Sequence, residues 1–571
     1  RNIYNSMKGG LSMKARPKNG LHSSETKRMN DDAHWSEYFD LPNPDLQAHF
    51  MRTRSGNSEI YATPFYGVNK SSDPVAAMLH VMNQWQKILE DSNVPEEWPS
   101  LMEFENDLRE KVGPMSVMKP LEQRMEDIDH YYDLINLDQK PVSEAAISAV
   151  VNEFSKVRGL RIRGQKLVVE KMKKSTSSGN PFYQKRRDVV ESTYPAEIWI
   201  RDFTNHVPNY WQYLPKGQWR NCAILGWRGQ EGGSDPEDVK QRVIWMFPFA
   251  VNICEQQWYQ PYIEACQHFK LVPAWVSMDE VDNSITKMFD TKQPDDVVVC
   301  TDFSKFDQHF NASMQNAAYR IMYNLAQTAD RKTQDWFTDV YGQKYCIPLA
   351  WDEGHIRTGF HGMASGSGGT NCDETMAHRA LQHEAAQARG VELNPYSQCL
   401  GDDGVLTYPG ISVDDVMLTY TQHGQEMNPD KQYVSTQDCV YLRRWHHKDY
   451  RESGVCVGVY STYRALNRLA MQERYYDARK WNAKMVCLRY LSIIENCNHH
   501  PLREQFADFC IKGDKYRLGL DIPGFLDNIE EEARQAIDEM PDFLGYTKTM
   551  QSGDATGISN WWIVKYLKSK A

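Results

Sequence analysis

The sequence predicts an α+β chain, and three observations carry that prediction. Val297-Val298-Val299-Cys300 is a short β-branched run of the kind that forms a buried strand. Gly401-Asp402-Asp403-Gly404 lies between two short apolar segments and reads as the tight turn of a β-hairpin. Around these strands the apolar residues recur at helical spacing. Examples are Val75-Ala76-Ala77-Met78-Leu79-His80-Val81-Met82 near the start and Tyr463-Arg464-Ala465-Leu466-Asn467-Arg468-Leu469-Ala470 in the last third.

Taken in order, residues 1–45 form a polar arm carrying Lys8, Lys14, Arg16, Lys18, Lys27 and Arg28. It reads equally as a solvated tail or as a surface-wrapping contact for nucleic acid. Helices follow from Asp73 to about Val157. Two breaks come next: the Gly- and Ser-rich stretch Ser175–Pro181, and Gly229–Pro236, which reads as an exposed loop. Beyond the strand at Val297, helical stretches run from about Ala312 to Ala329 and from Thr370 to Arg389, the second stopping at Gly390, a good helix terminator. From about Ser461 the chain is mostly helical.

With 571 residues the chain is too long for one compact core, so two or three packed subdomains are expected. The net charge of -11 does not advertise a nucleic-acid binder, yet a basic channel can sit inside an acidic shell. Twelve scattered cysteines without a C-x-x-C pair remove the usual support for zinc or thioredoxin-like chemistry and suggest buried thiols in a reducing compartment. No apolar run approaches the length of a membrane span, and no secretory signal opens the sequence.

The chemistry concentrates in three carboxylates. Asp302 closes the strand at Val297, and Asp402 and Asp403 occupy the hairpin turn. A strand end beside a hairpin turn brings such groups together, and like charges that close demand cations between them. Mg²⁺ takes oxygen ligands and leaves room for substrate phosphates, and a pair of such ions suits phosphoryl transfer. A lone Gly-Asp-Asp is more often a solvated turn, so its setting between strands decides the matter.

From these residues outward the chain resembles the RNA-dependent RNA polymerases. Asp302-Phe303-Ser304-Lys305-Phe306-Asp307 is similar to motif A, Ser365-Gly366-Ser367-Gly368-Gly369-Thr370-Asn371 to motif B, and Leu400-Gly401-Asp402-Asp403 to motif C, in that order. Gly424–Lys431 resembles motif D and Tyr441–Trp445 motif E, with Lys240–Ile244 similar to the core of motif F and Thr176–Phe182 to motif G. The flavour is nearest to polymerases of double-stranded RNA viruses of the picobirnavirus and partitivirus kind. The resemblance implies a right-hand fold with an antiparallel palm sheet and a helical thumb. It divides the chain into an arm (1–45), fingers (46–290), palm (291–450, with a finger insertion near 331–355) and thumb (451–571), with the fingers bridged to the thumb.

The family's roles carry over residue by residue. Asp302, Asp402 and Asp403 would hold two Mg²⁺ or Mn²⁺ ions, and Lys431 would protonate the leaving pyrophosphate. Asp307 and Asn371 would sense the ribose 2′-hydroxyl, Ser365 and Thr370 would join them at the nucleotide, and Gly366 would let the loop approach the RNA template closely. Asn371 reads alternatively as a helix-start residue. Lys240, Arg242 and Arg228 would bind the triphosphate. Ser178 and Gly179 would meet the template, and Arg443 and Arg444 the primer or nascent strand. Lys171, Lys173, Lys174, Lys185, Arg186 and Arg187 read either as a solvated face or as a positive approach for template. The implied partners are an RNA template, nascent RNA, ribonucleoside triphosphates and a viral capsid protein, with no membrane, in the virion interior and host cytoplasm. Two rivals remain. A reverse transcriptase is opposed by Asp307, where an aromatic would exclude the 2′-hydroxyl. A non-catalytic, capsid-associated RNA-binding protein would have no need of the three aspartates.

Overall fold

Val298–Thr301, four consecutive buried residues, forms an inner strand of the sheet that organises the middle of the molecule. The computed structural model describes residues 24–28, 32–540 and 557–571. Lys8, Lys14, Arg16 and Lys18 of the expected arm lie outside the described residues. In chain order the described strands are β1 (Glu25–Arg28), β2 (Glu197–Thr204), β3 (Val207–Leu214), β4 (Gly217–Arg220), β5 (Ala223–Gln230), β6 (Lys240–Met246), β7 (Val298–Thr301) and β8 (Leu349–Asp352). They continue as β9 (His355–Thr358), β10 (Gln398–Leu400), β11 (Asp403–Leu406), β12 (Tyr433–Ser435), β13 (Asp438–Tyr441), β14 (Arg444–His447) and β15 (Val459–Tyr460).

The central sheet has the order β10-β11-β7-β12 and is antiparallel throughout. Behind it pack the helices Thr370–Ala388 and Ala312–Leu325, close to the expected spans. Gly390 terminates the first with φ +69°. A five-stranded sheet, β1-β9-β8-β5-β6, carries Lys240 and Arg242 on β6 and takes in the segment at 349–358 through a parallel β5–β8 pairing. Small sheets β13-β14-β15 and β2-β3-β4 complete the set.

The early helices pack against the far end of the chain. Pro74–Glu90 and Pro99–Arg109 share a hydrophobic core with the C-terminal helices Thr462–Ala470, Ala483–Glu495 and Arg503–Gly513, not with residues 121–290. Trp85 packs edge-on to Phe506 at 5.1 Å and its indole N–H donates to Thr462 at 2.8 Å. Glu105, fully buried, accepts from the Thr462 amide at 3.0 Å and from His500 at 3.1 Å. These contacts link two parts of the chain more than 350 positions apart. The segment Gly229–Pro236 is exposed, as expected, only from Ser234 on; before that Glu231 is buried between Arg464 and Arg468 of the helix Thr462–Ala470. A buried carboxylate is tolerated only with such partners. All twelve cysteines are buried free thiols. Among the described residues no helix is long and apolar enough to cross a membrane.

Candidate active site

The register of the central sheet assembles the acidic centre. Gly404 pairs with Thr301 across β11 and β7, so one step further on each chain Asp403 stands opposite Asp302. Leu400 pairs with Asp403, leaving Gly401 and Asp402 as a two-residue turn. Gly401 takes φ +57°, a conformation that glycine adopts without penalty. The helix Thr370–Ala388 fixes this turn from behind. Thr375 accepts from the Gly401 amide at 2.9 Å, and His378 donates from Nδ1 to the Gly401 carbonyl at 2.8 Å. Burial pushes the His378 imidazole down to about 4, so it serves as a neutral donor.

Asp302 is held through its backbone. Its amide donates to Gln432 Oε1 and its carbonyl accepts from Gln432 Nε2, both at 2.8 Å. The amide side chain thereby ties the segment Pro429–Lys431 to the end of β7. Lys431, exposed and next in chain to Gln432, is close enough to Lys240 to help lower the latter's pKa, which is depressed first by burial. Asp403 Oδ2 accepts from the Leu442 amide at 2.8 Å. That amide belongs to the turn joining β13 and β14, where Tyr441 pairs with Arg444. Both turn residues, Leu442 and Arg443, have positive φ, +53° and +61°. Non-glycine residues at such angles carry strain of about 1 kcal/mol or more each, and the turn aims the Leu442 N–H at the carboxylate.

The electrostatics are those of crowded carboxylates. Burial, then neighbouring Asp402, pushes Asp403 up to about 7, while the Leu442 N–H and Arg443 pull the other way. Asp402 keeps solvent access at the hairpin turn. Partial desolvation on its other sides, then Asp307, raises it, against Arg242 and Arg443. Among the described residues no three His, Cys, Asp or Glu side chains form a ready-made metal cage. The donor set still fits a hard divalent cation: every donor is a carboxylate oxygen, and the carboxylate repulsion that adds to burial, from Asp307 on Asp402 and from Asp402 on Asp403, is what a cation relieves.

Arg242 and Arg443 also line a cavity of about 540 Å³, shared with Lys173, Arg228, Arg464 and Arg468. Arg228 pairs across the ladder with Arg242, and Gln230 with Lys240. Two guanidiniums facing one another across a sheet repel unless an anion or carboxylate intervenes. Here Arg228 turns to Glu473 at 2.8 Å, so it stands at the cavity wall already paired.

The glycine-rich loop 365–369 lies between β6 and the helix Phe249–His268. Ser365 Oγ accepts from the Trp245 amide at 3.3 Å and donates to the Val243 carbonyl at 3.4 Å. Thr370 Oγ1 donates back to the loop carbonyls of Ala364 and Ser367, each at 3.2 Å. At Gly366 a Cβ would fall 1.6 Å from the Trp245 carbonyl oxygen, so no larger residue fits. Asn371 accepts from the indole N–H of Trp275 at 2.7 Å, and its Nδ2 points toward Gly401. It is not an N-cap: Gly369 occupies that position without a side-chain bond.

Several residues escaped the sequence reading. Glu374 lies three positions beyond Asn371, on the face of the helix that also carries Thr375 and His378. It is 5% exposed, its Oε2 has no hydrogen-bond partner, and burial followed by the adjacent Asp307 holds its carboxyl well above the usual range. Helical spacing from Asn371 was the available signal. Gln432 and the Leu442 amide had none, because their roles rest on long-range contacts.

Three residues expected to meet RNA are enclosed by protein. Arg444 is 8% exposed and donates to Asp282 at 3.1 Å and to the Gly458 carbonyl at 3.0 Å, so its charge is spent inside the protein. Ser178 is 2% exposed, its hydroxyl accepting the Gln184 amide at 3.0 Å. Gly179, beside it, is pressed against the Phe247 carbonyl. Both shape a loop; neither presents a polar group to solvent.

Comparison with known proteins agrees with this geometry. A family model described as viral RNA-dependent RNA polymerase matches residues 143–457. A potential RNA-dependent RNA polymerase of human picobirnavirus is 58% identical over 544 residues, covering 94% of this chain and 98% of that protein. The crystal structure of the RNA-dependent RNA polymerase of a human picobirnavirus superposes with a TM-score of 0.89 at 56% identity, over 95% of this chain and 100% of that one. An insertion-loop deletion mutant of such an enzyme gives 0.87 at 55% identity, with the same coverage. With motif order, sheet register and whole-chain similarity in agreement, the chain belongs to the viral RNA-dependent RNA polymerases.

Proposed function

We propose that this polymerase copies and transcribes a viral RNA genome by two-metal nucleotidyl transfer at Asp302, Asp402 and Asp403. The observation that carries the reading is the β7–β11 register, which sets Asp302 and Asp403 opposite one another beside Asp402. Two divalent ions, Mg²⁺ or Mn²⁺, held there would supply activation of a 3′-hydroxyl and screening of pyrophosphate. The RNA 3′-hydroxyl gives up its proton to solvent as its oxygen bonds to the α-phosphorus of a ribonucleoside triphosphate, and the bond from that phosphorus to the β-phosphate bridging oxygen breaks. Lys431, on the segment tied to Asp302 through Gln432, donates a proton to the departing pyrophosphate. Lys240 and Arg242 neutralise the triphosphate, Arg228 joining them only if it leaves Glu473, and Arg443 steadies the primer or nascent strand.

Asp307, with Glu374 behind it and Asn371 alongside, reads the ribose 2′-hydroxyl. A hydroxyl that can both donate and accept satisfies this polar cluster, and a deoxyribose leaves it unpaired. Ser365, Gly366 and Thr370 hold the loop that faces the template, and Ser178 and Gly179 shape a second loop near it. The partition is arm 1–45, fingers 46–290, palm 291–450 and thumb 451–571. The segment near 331–355 serves as a finger insertion, supported by the pairing of β8 with β5. The buried link of Glu231 to Arg464 and the shared core of the 74–109 and 462–513 helices support fingers bridged to thumb. A capsid protein as partner, and action within the virion and the host cytoplasm, complete the reading.

The test is incorporation of labelled ribonucleotide on single-stranded RNA with Mg²⁺ or Mn²⁺, comparing the wild type with Asp402→Ala plus Asp403→Ala. Template-dependent product that vanishes in the variant supports the site. Equal use of dNTPs would overturn the ribose reading. RNA binding with no product under any metal or primer condition would favour a non-catalytic binding protein.

A further inference from the structure

The glycine-rich loop has few side chains of its own to define its shape, and Glu255 holds it from outside. Glu255 is 1% exposed on the helix Phe249–His268. Its Oε2 accepts the Ser367 hydroxyl, and its Oε1 accepts the Gly368 amide and Asn252 Nδ2, each at 3.0 Å. Asn252 Nδ2 also donates to the Gly366 carbonyl at 3.2 Å. A carboxylate this deep is stable only when such donors surround it, so the loop and Glu255 hold one another in a single arrangement. Asn252 is oriented in turn: its Oδ1 accepts from Arg186 Nη2 at 2.7 Å. Arg186 also donates from Nη1 to the Lys173 carbonyl at 3.1 Å, and its Nε is buried without a partner. Arg186, Asn252, Gly366 and Gly368 all line a polar pocket of about 310 Å³, with Lys171 and Lys173 at its rim.

We propose that Glu255 is a positioning residue for the loop 365–369, and that the relay Arg186–Asn252–Glu255 makes the loop's conformation respond to an RNA backbone phosphate in this pocket. A phosphodiester there draws on the Arg186 guanidinium, whose five donors are only partly used. Any shift of Arg186 turns the Asn252 amide, which is shared between Glu255 and the Gly366 carbonyl. The inference rests on the reading of the loop as part of the polymerase site.

The experiment has a readout that does not depend on activity. Hydrogen–deuterium exchange of the 365–369 amides is followed with and without a single-stranded oligoribonucleotide, in the wild type, Glu255→Gln, Ser367→Ala and Arg186→Ala. Glu255→Gln is expected to speed exchange of this segment about tenfold, the scale of losing one to two hydrogen bonds. Oligoribonucleotide should slow exchange in the wild type and not in Arg186→Ala. Single-turnover incorporation on a preformed primer–template should fall about tenfold in Glu255→Gln while RNA affinity changes less than about threefold, and the loss should shrink in the Arg186→Ala background. If Glu255→Gln does not fold, Ser367→Ala, which removes one donor to Glu255 and the acceptor of the Gly369 amide, carries the same test read at the Gly368 amide, with a smaller loss. Wild-type exchange and rate in Glu255→Gln and Ser367→Ala overturn the positioning role. Independent, multiplying losses for Arg186→Ala and Glu255→Gln, or an RNA effect that survives Arg186→Ala, overturn the relay. Product made normally by Asp402→Ala plus Asp403→Ala would instead fail the polymerase-site reading and leave the exchange result standing.

Discussion

Arg444→Ala distinguishes a residue that contacts RNA from one that only stabilises the fold. Its guanidinium is bonded to Asp282 Oδ1 at 3.1 Å and to the Gly458 carbonyl at 3.0 Å, and Asp282 is 2% exposed. His446 lies 3.7 Å from the same carboxylate, but burial, with Arg444 adding to it, pushes its imidazole down to about 4, so Arg444 is the charge that Asp282 relies on. Removing Arg444 therefore leaves a buried anion without a counter-charge, a loss of about 3–5 kcal/mol. The paired change Arg444→Met with Asp282→Leu removes both charges and should recover most of that, because neither partner is then stranded. Denaturant unfolding followed by circular dichroism measures the stability, and fluorescence anisotropy on an oligoribonucleotide measures RNA affinity. The expectation is a much lower unfolding midpoint for Arg444→Ala with RNA affinity within about twofold of wild type under native conditions, as no phosphate contact is lost. Arg443→Ala, one residue away but lining the basic cavity, should do the reverse. An Arg444→Ala protein of normal stability that binds RNA tenfold more weakly would refute the reasoning and return Arg444 to the RNA contacts.

Asp403, raised from 3.8 to about 7, binds its proton more tightly folded than unfolded. Its contribution to stability is thus full below about pH 4 and lost as pH rises through about 7, at most about 4 kcal/mol. In metal-free protein, stability should fall over that window, Asp403→Asn should flatten the profile, and Mg²⁺ should stabilise more at pH 8 than at pH 6; thermal unfolding with and without EDTA checks all three. Glu374→Gln keeps a hydrogen-bonding partner beside Asp307 and should retain most activity, whereas Glu374→Ala should cut rNTP-over-dNTP selectivity about tenfold, read from competing kcat/KM values. Glu231→Ala removes the carboxylate buried between Arg464 and Arg468, near Arg443, and should destabilise by about 3 kcal/mol; unchanged unfolding would show that this contact between distant parts of the chain carries no energy.

Local pattern was enough for the elements that the acidic centre stands on. A β-branched run made β7, expected at 297–300 and found at Val298–Thr301, and Gly401-Asp402 made the hairpin turn. Both depend on neighbours in sequence: side-chain branching and glycine's tolerance of positive φ act within a few residues. Motif order likewise identified the family, and the spacing of Asp302, Asp402 and Asp403 survives as a register between two strands.

What the sequence left undetermined was which charges face solvent and which face each other. Arg443 and Arg444 are adjacent and chemically identical, yet the strained turn sends the first into a basic cavity and the pairing of β14 buries the second against Asp282. Ser178 looked like a polar loop residue and is enclosed. Glu374 and Glu255 carry no distinguishing mark in the sequence. One became a buried carboxyl behind Asp307, and the other the anchor of a glycine-rich loop, because segments more than 60 and 110 positions away close over them. Burial and charge pairing are set by tertiary packing, through desolvation and Coulomb energies that no short window of sequence contains. The sequence by itself determined the elements and the family; the tertiary structure decided which of its polar residues are available for chemistry.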